Sequence, residues 1–126
     1  MLDLNKYQAL VFAKLKELEI EVEVYDKIPA NAKFPFIVLS DFTISDDLIK
    51  DYECLAIEQK LEIWSDYAGK KEINRILHDV YESITELHGI EIENNKVFDS
   101  IYLMPSTVQE VEGFFNANLF VKFEIL

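Results

Sequence analysis

The sequence predicts an α+β fold: a mostly antiparallel (mixed) β-sheet with two helices packed on one face. Three observations predict it. Two segments, Leu4 to Leu18 and Lys70 to Leu87, carry apolar residues at helical spacing. Several others alternate apolar and polar residues with the two-residue period of a strand. The order is helix, several strands, helix, two strands, which lacks the regular strand–helix alternation that builds a doubly wound parallel sheet.

In the first helix Tyr7, Leu10, Val11, Leu15 and Leu18 share one face. Asp3 is placed to cap it, since its carboxylate can accept from the unpaired N–H groups of the first turn. Ile20, Val22 and Val24 then alternate with Glu21, Glu23 and Tyr25, which reads as a half-buried strand. Pro29 and Pro35 bracket a turn at Ala30-Asn31-Ala32-Lys33.

A strand opens at Phe36-Ile37-Val38-Leu39 and runs on through Phe42 and Ile44. Asp46 to Asp51 reads as a polar loop or hairpin tip. From Glu53 to Trp64 the alternation is cleanest, with Ile57, Leu61 and Ile63 on one face and Glu58, Lys60 and Glu62 on the other.

The second helix has the stripe Ile73, Ile76, Leu77, Val80, Ile84 and Leu87, with Glu72, Arg75, Asp79, Glu82 and Glu86 facing away. His88 falls in its last turn, and Gly89 where a left-handed C′ glycine belongs. Two long strands close the chain, Lys96 to Val108 and Gly113 to Leu126, joined through Gln109-Glu110-Val111-Glu112. No repeat, low-complexity segment or internal boundary interrupts residues 1–126, so one domain is expected.

Composition narrows the function. Half of the 126 residues are hydrophobic and only 3 glycines and 3 prolines break them up, which a disordered linker does not do. A single cysteine, Cys54, allows no internal disulfide and fits a reducing compartment. The start of the chain lacks the basic region and apolar run of a signal peptide, and apolar stretches such as Phe34 to Ser40 are too short to span a bilayer. No membrane partner is expected. The net charge of −12 and a lone arginine, Arg75, argue against binding nucleic acid by neutralising its phosphates.

Catalytic signals are missing from the pattern. There is no HExxH, CxxC, GxSxG or phosphate-cradling glycine loop. His78 falls on the polar stripe of the second helix, and His88 suits the negative end of that helix dipole. The pairs Asp46/Asp47 and Glu91/Glu93 lie where carboxylates are solvated. The acidic loop lacks the glycine and terminal glutamate of a calcium hand. Cys54 has no histidine near it in sequence. The expectation is therefore no enzyme, no metal and no cofactor, and a protein that works by binding other proteins.

Two features are candidate contacts for such binding. The tip residues Asp46, Asp47, Leu48, Ile49 and Tyr52 place apolar groups on a projecting hairpin, where exposure is unfavourable unless a neighbour covers them. Trp64 ends its strand on the face opposite Leu61 and Ile63, so it either covers the sheet or anchors a partner.

Three stretches together resemble a bacteriophage family, the small tail-completion proteins that join tail to head. One is Val24-Tyr25-Asp26-Lys27-Ile28-Pro29 followed by Phe34-Pro35-Phe36-Ile37-Val38-Leu39-Ser40. The next is Leu61-Glu62-Ile63-Trp64-Ser65, leading through Asp66-Tyr67-Ala68-Gly69-Lys70-Lys71-Glu72 into the second helix. The last is the acidic, strand-rich C-terminal half ending in a long alternating strand.

The resemblance implies a structural virion protein of a tailed phage or prophage, made in the host bacterial cytoplasm and located in the tail. It implies a tail-terminator-like fold and a ring, typically six-fold, that contacts tail tube, head connector or both. DNA would pass through its channel without specific binding, and an acidic lumen would keep that polymer from adhering. The alternative is an acidic DNA-mimic inhibitor. Mimicry needs carboxylates in phosphate-like rows, whereas these alternate with apolar residues.

Overall fold

The computed structural model describes residues 2–49 and 52–126, with side chains described for all of these except 47–49, 52 and 53. In chain order the elements are α1 (Leu4–Lys16), β1 (Glu23–Tyr25), β2 (Phe36–Ile49), β3 (Tyr52–Ser65), α2 (Lys71–Thr85), β4 (Glu91–Glu93), β5 (Lys96–Leu103), β6 (Thr107–Val111) and β7 (Phe114–Ile125). The strands form one seven-stranded sheet in the order β1-β2-β3-β7-β5-β4, with β6 also paired to β7. β1 runs parallel to β2, and the other pairings are antiparallel. The sheet is mixed and mostly antiparallel, as the sequence predicts.

Both helices lie on the same face. Tyr7, Val11 and Leu15 of α1 and Ile73, Ile76, Val80 and Ile84 of α2 share one core with Ile37 and Leu39 of β2, Ile57, Leu61 and Ile63 of β3, and the odd-numbered residues Ala117 to Ile125 of β7. The period of two supplies the sheet's half of this core and the period of 3.6 supplies the helices' half. Leu10 and Leu77, on the edges of the two helical stripes, are partly buried against it. Each fully buried leucine, isoleucine or phenylalanine contributes about 1.5–3 kcal/mol relative to exposure. Asp3 caps α1 as expected, its carboxylate accepting from the N–H of Asn5 at 2.9 Å.

Some boundaries differ from the sequence reading. The segment Asp46 to Ile49, expected as loop, continues β2: Asp46 sits opposite Leu55, Asp47 opposite Cys54, and Ile49 opposite Tyr52. Cross-strand pairing with β3 holds these acidic residues extended despite their low strand propensity. The expected strand from Ile20 narrows to Glu23–Tyr25, although Ile20 and Val22 still pack against the core. The expected strand Lys96 to Val108 is two, broken at Met104-Pro105-Ser106, so that β5 pairs with Val121–Ile125 and β6 with Phe114–Asn118 of the same β7. Proline has no N–H to continue a ladder. α2 ends at Thr85 with Glu86 as its C-cap, so Gly89 is not the C′ residue. Gly89 still needs its positive φ of 80°, and its N–H bonds the carbonyl of Phe98 at 2.8 Å, tying the turn after α2 to β5.

One polar group inside the core has an architectural task. A bulge interrupts the β2–β3 register between Leu39 and Phe42. Gln59, fully buried on β3, turns its amide N–H groups to the carbonyls of Ser40 (2.9 Å) and Lys60 (2.9 Å), with Asp41 at 3.4 Å. Its amide oxygen accepts from the Tyr7 hydroxyl at 2.8 Å. One side chain thus seals the bulge and pins α1 to the sheet.

Burial pushes the Tyr7 phenol far above the ordinary tyrosine range. Ionisation in the unfolded chain near pH 10 has no counterpart in the folded protein, so the folded state holds one proton more. Tyr7 therefore contributes stability that is fully present below pH ~10 and is lost above it at about 1.4 kcal/mol per pH unit. In urea titrations between pH 9 and 11.5, Tyr7→Phe is expected to lose less stability with rising pH than the parent.

The β6–β7 turn is a two-residue loop of Glu112 (φ 51°) and Gly113 (φ 86°), the pairing of positive φ values that suits a twisted hairpin. Glutamate pays for this conformation where asparagine adapts to it, as Asn94 and Asn95 do in the β4–β5 turn with φ of 45° and 64°. Glu112→Asn is expected to stabilise the protein by about 1 kcal/mol, a rise in Tm of roughly 3–6 °C.

Candidate protein-binding site

The sheet has a second face, turned away from the helices. On β3 and β7 the even-numbered residues point there, in cross-strand rows Glu58–Lys122, Lys60–Phe120, Glu62–Asn118 and Trp64–Asn116. At one end of this face an aromatic cluster assembles from four separate stretches of chain. Phe36 and Trp64, paired across β2 and β3, stack at 6.5 Å between ring centroids. Phe34 packs on Phe36 at 5.0 Å and stacks on Phe114 at 4.8 Å, and Tyr25 meets Phe36 at 5.7 Å. Phe36 is buried beneath its neighbours while Phe114 remains 37% exposed.

Trp64 itself is half-buried, and its indole Nε1 is enclosed without a hydrogen-bond partner among the described residues. The enclosed Asn118 Oδ1 shares that status. Asn116 is satisfied: its amide N–H donates to the carbonyl of Ile63 at 3.3 Å and its oxygen accepts from Gln109 at 3.2 Å. Trp64 thus covers the sheet, the first of the two roles that sequence left as alternatives, and its ring lies in the aromatic cluster at the rim of this face.

The other sequence-derived contacts lie elsewhere. Asp46 is exposed on β2. Asp47, Leu48, Ile49 and Tyr52 have strand backbone, but their side chains lie outside the described residues, as do Lys50 and Asp51 between them. Most of β3 separates Tyr52 from Trp64, roughly 40 Å at about 3.3 Å per residue. The structure does not bring the hairpin tip and the tryptophan into one site.

Sequence reading missed a second exposed apolar zone, beside β5. Tyr102, Leu103, Met104 and Phe120 are 36–51% exposed. Met104 joins Phe120 through an N–H···O=C bond of 2.9 Å that extends the β5–β7 ladder. The uncharged run Ser100-Ile101-Tyr102-Leu103-Met104-Pro105-Ser106 was the available signal in a chain of net charge −12.

The helix side is acidic. Glu17, Glu19, Asp79, Glu82 and Glu86 border a shallow groove between α1 and α2, with Lys14 among them. The Glu86 carboxylate, hydrogen-bonded to Lys14 at 3.0 Å, holds that ammonium above the usual lysine range. His78 is exposed and meets Glu82 at 3.3 Å, one helical turn on. With Asp79 they bring three possible metal-ligand atoms within 4.8 Å of one another, on an open helix surface. His88, past the end of α2, is exposed. Among the described residues no helix is long and apolar enough to cross a membrane.

A family model described as "Tail completion protein gp17" matches residues 9–100. The chain belongs to the tail completion protein gp17 family. It is a structural tail protein, as the sequence resemblance implied. The matched span runs from α1 into β5 and contains the bulge, the Trp64 strand and all of α2. Among solved structures, the fold matches a chain of the one described as "Virion of native gene transfer agent (GTA) particle", with a TM-score of 0.76 and 16% identity over 94% of this chain and 92% of that one. At that identity the match shows a shared fold. No curated protein sequence matches this tail completion protein.

Proposed function

We propose that this tail completion protein acts without catalysis, by assembling as a ring, six-fold in symmetry, at the junction of tail tube and head connector. The observation that carries this reading is the family match across residues 9–100. Correspondence with a virion chain along nearly the whole length supports it. The ring is a component of the virion tail, made in the cytoplasm of the host bacterium, and DNA passes through it without specific binding.

The charge suits that position. A duplex carries one negative charge per ~1.7 Å, and a surface of net charge −12 does not retard it. Neither the family nor the fold supports an inhibitor that mimics DNA. The test is deletion of the gene in a phage or prophage that carries it, with electron microscopy of the lysate. Separate heads and tails are expected. Joined particles at normal yield would overturn the proposal.

A further inference from the structure

Each end of the sheet finishes in a strand edge with no pairing partner among the described residues. At one end β1 pairs only with β2. At the other, β4 meets β5 only at Lys96 and Val97, and the turn residues Gly89 and Ile90 bond Phe98. Residues 100–103 are left with a ladder to β7 on one side alone. An edge that pairs with nothing is normally guarded by charge or proline. Here Asp99 guards one end and Pro105 follows the other, while Ile101, Tyr102 and Leu103 between them are apolar.

The β1 edge has the complementary shape. Between it and α1 lies an open groove of about 440 Å³, with Ala9, Phe12, Ala13 and Val24 as its apolar lining. Ala9 and Ala13 are one turn apart and exposed, so the helix has no bulk where it overhangs the strand. The sides of the sheet agree as well. Val24 points to the helix side. Leu103 pairs with Val121, a core residue, and therefore also points to the helix side, whereas Tyr102 pairs with Lys122 on the other face.

We propose that β5 of one copy docks alongside β1 of the next, with Leu103 entering the groove under α1 and Tyr102 lying beside the neighbour's Tyr25. This deepens the ring reading and rests on it. A patch and a pocket at different places on one chain make a head-to-tail contact, the kind that closes into a ring when the rotation per copy allows. Charge favours a second copy as the occupant. Two chains of net charge −12 repel over most of their surfaces, but the seven residues from Ser100 to Ser106 carry no charge and Asp26 is the one charge among the groove's lining residues. Like-charged copies thus meet through their near-neutral parts.

The test places cysteines across the proposed contact in the full chain: Leu103→Cys with Ala9→Cys, and Leu103→Cys with Ala13→Cys. Each purified double variant is oxidised mildly and run on a non-reducing gel, and the parent is weighed by native mass spectrometry. At least one double variant is expected to give a ladder of covalent oligomers that ends at the mass of the ring. Variants with one introduced cysteine are expected to stop at dimer or below, because the native Cys54 is buried and out of reach of the oxidant. Leu103→Arg is expected to reduce the ring population at least tenfold while leaving monomer melting unchanged. Rings in the parent without a ladder, or rings that survive Leu103→Arg, would overturn this contact and leave the ring reading standing. Absence of both ring and ladder at every concentration would overturn the contact and the ring of the isolated chain together.

Discussion

Gln59→Leu is expected to destabilise the protein by about 3–4 kcal/mol, a fall in Tm of roughly 10–20 °C. The leucine fills a similar volume in a fully buried site, so a cavity is not the cause. The cost comes from what the amide leaves behind. The carbonyls of Ser40 and Asp41 at the bulge lose their donor, and the Tyr7 hydroxyl loses its acceptor inside the core. Each buried polar group left unpaired costs about 1–3 kcal/mol. Tyr7→Phe alone removes one donor and is expected to cost about 1–2 kcal/mol. Because the phenylalanine has no hydroxyl to strand, the double variant should be more stable than the sum of the two losses predicts. Denaturant melts of the four proteins measure that coupling, and strict additivity would mean that the Tyr7–Gln59 bond contributes nothing.

Phe98→Ala is expected to cost about 3–5 kcal/mol, enough to unfold a large share of a marginal domain at 37 °C. Phe98 is fully buried and meets Phe123 at 5.2 Å and Tyr7 at 6.2 Å, while Tyr7 meets Phe123 at 5.8 Å. These three rings join α1, β5 and β7 at one point. Phe98 is also where β5 is tied to the turn after α2, through Gly89 and Ile90. The alanine should therefore loosen the β5 edge beyond its effect on overall stability. Amide exchange read across β4 and β5 should accelerate more than exchange in β3. Equal acceleration everywhere would show that the edge is not held through this side chain.

The contrast between these residues and the sequence explains what was legible in it. α2 could be read because its stripe and its charged face are both continuous, and β3 because Ile57, Leu61 and Ile63 share one face opposite Glu58, Lys60 and Glu62. Fold class followed from such patterns, and the family from the resemblance of the three stretches around Pro35, Trp64 and the C-terminal strand. The end of β2 could not be read, since Asp46 and Asp47 have loop chemistry and are extended only by their pairing with β3. β4 is three residues long, too short for a period to show. The role of Gln59, which falls in register with the apolar face, could not be read because the bulge it seals is a property of β2.

The surfaces were the least legible part. Trp64 drew notice by its type, but its partners Phe34, Phe36 and Phe114 come from distant stretches that only the sheet brings together. The open edges at β1 and β5 depend on strand order. The pairing of β7 with β3 on one side, and with β5 and β6 on the other, decides which backbone groups remain free.

Completion of the tail by physical assembly, as proposed, has a biochemical signature. The most direct measurement is in vitro complementation. Extract from a strain deleted for the gene supplies unjoined heads and tails, purified protein is added, and infectious titre and joined particles are counted. Titre is expected to rise with added protein and saturate at a fixed number of chains per tail, without nucleotide or metal being supplied. Full titre from the deletion extract alone, or restoration at far less than one chain per tail, would contradict the account.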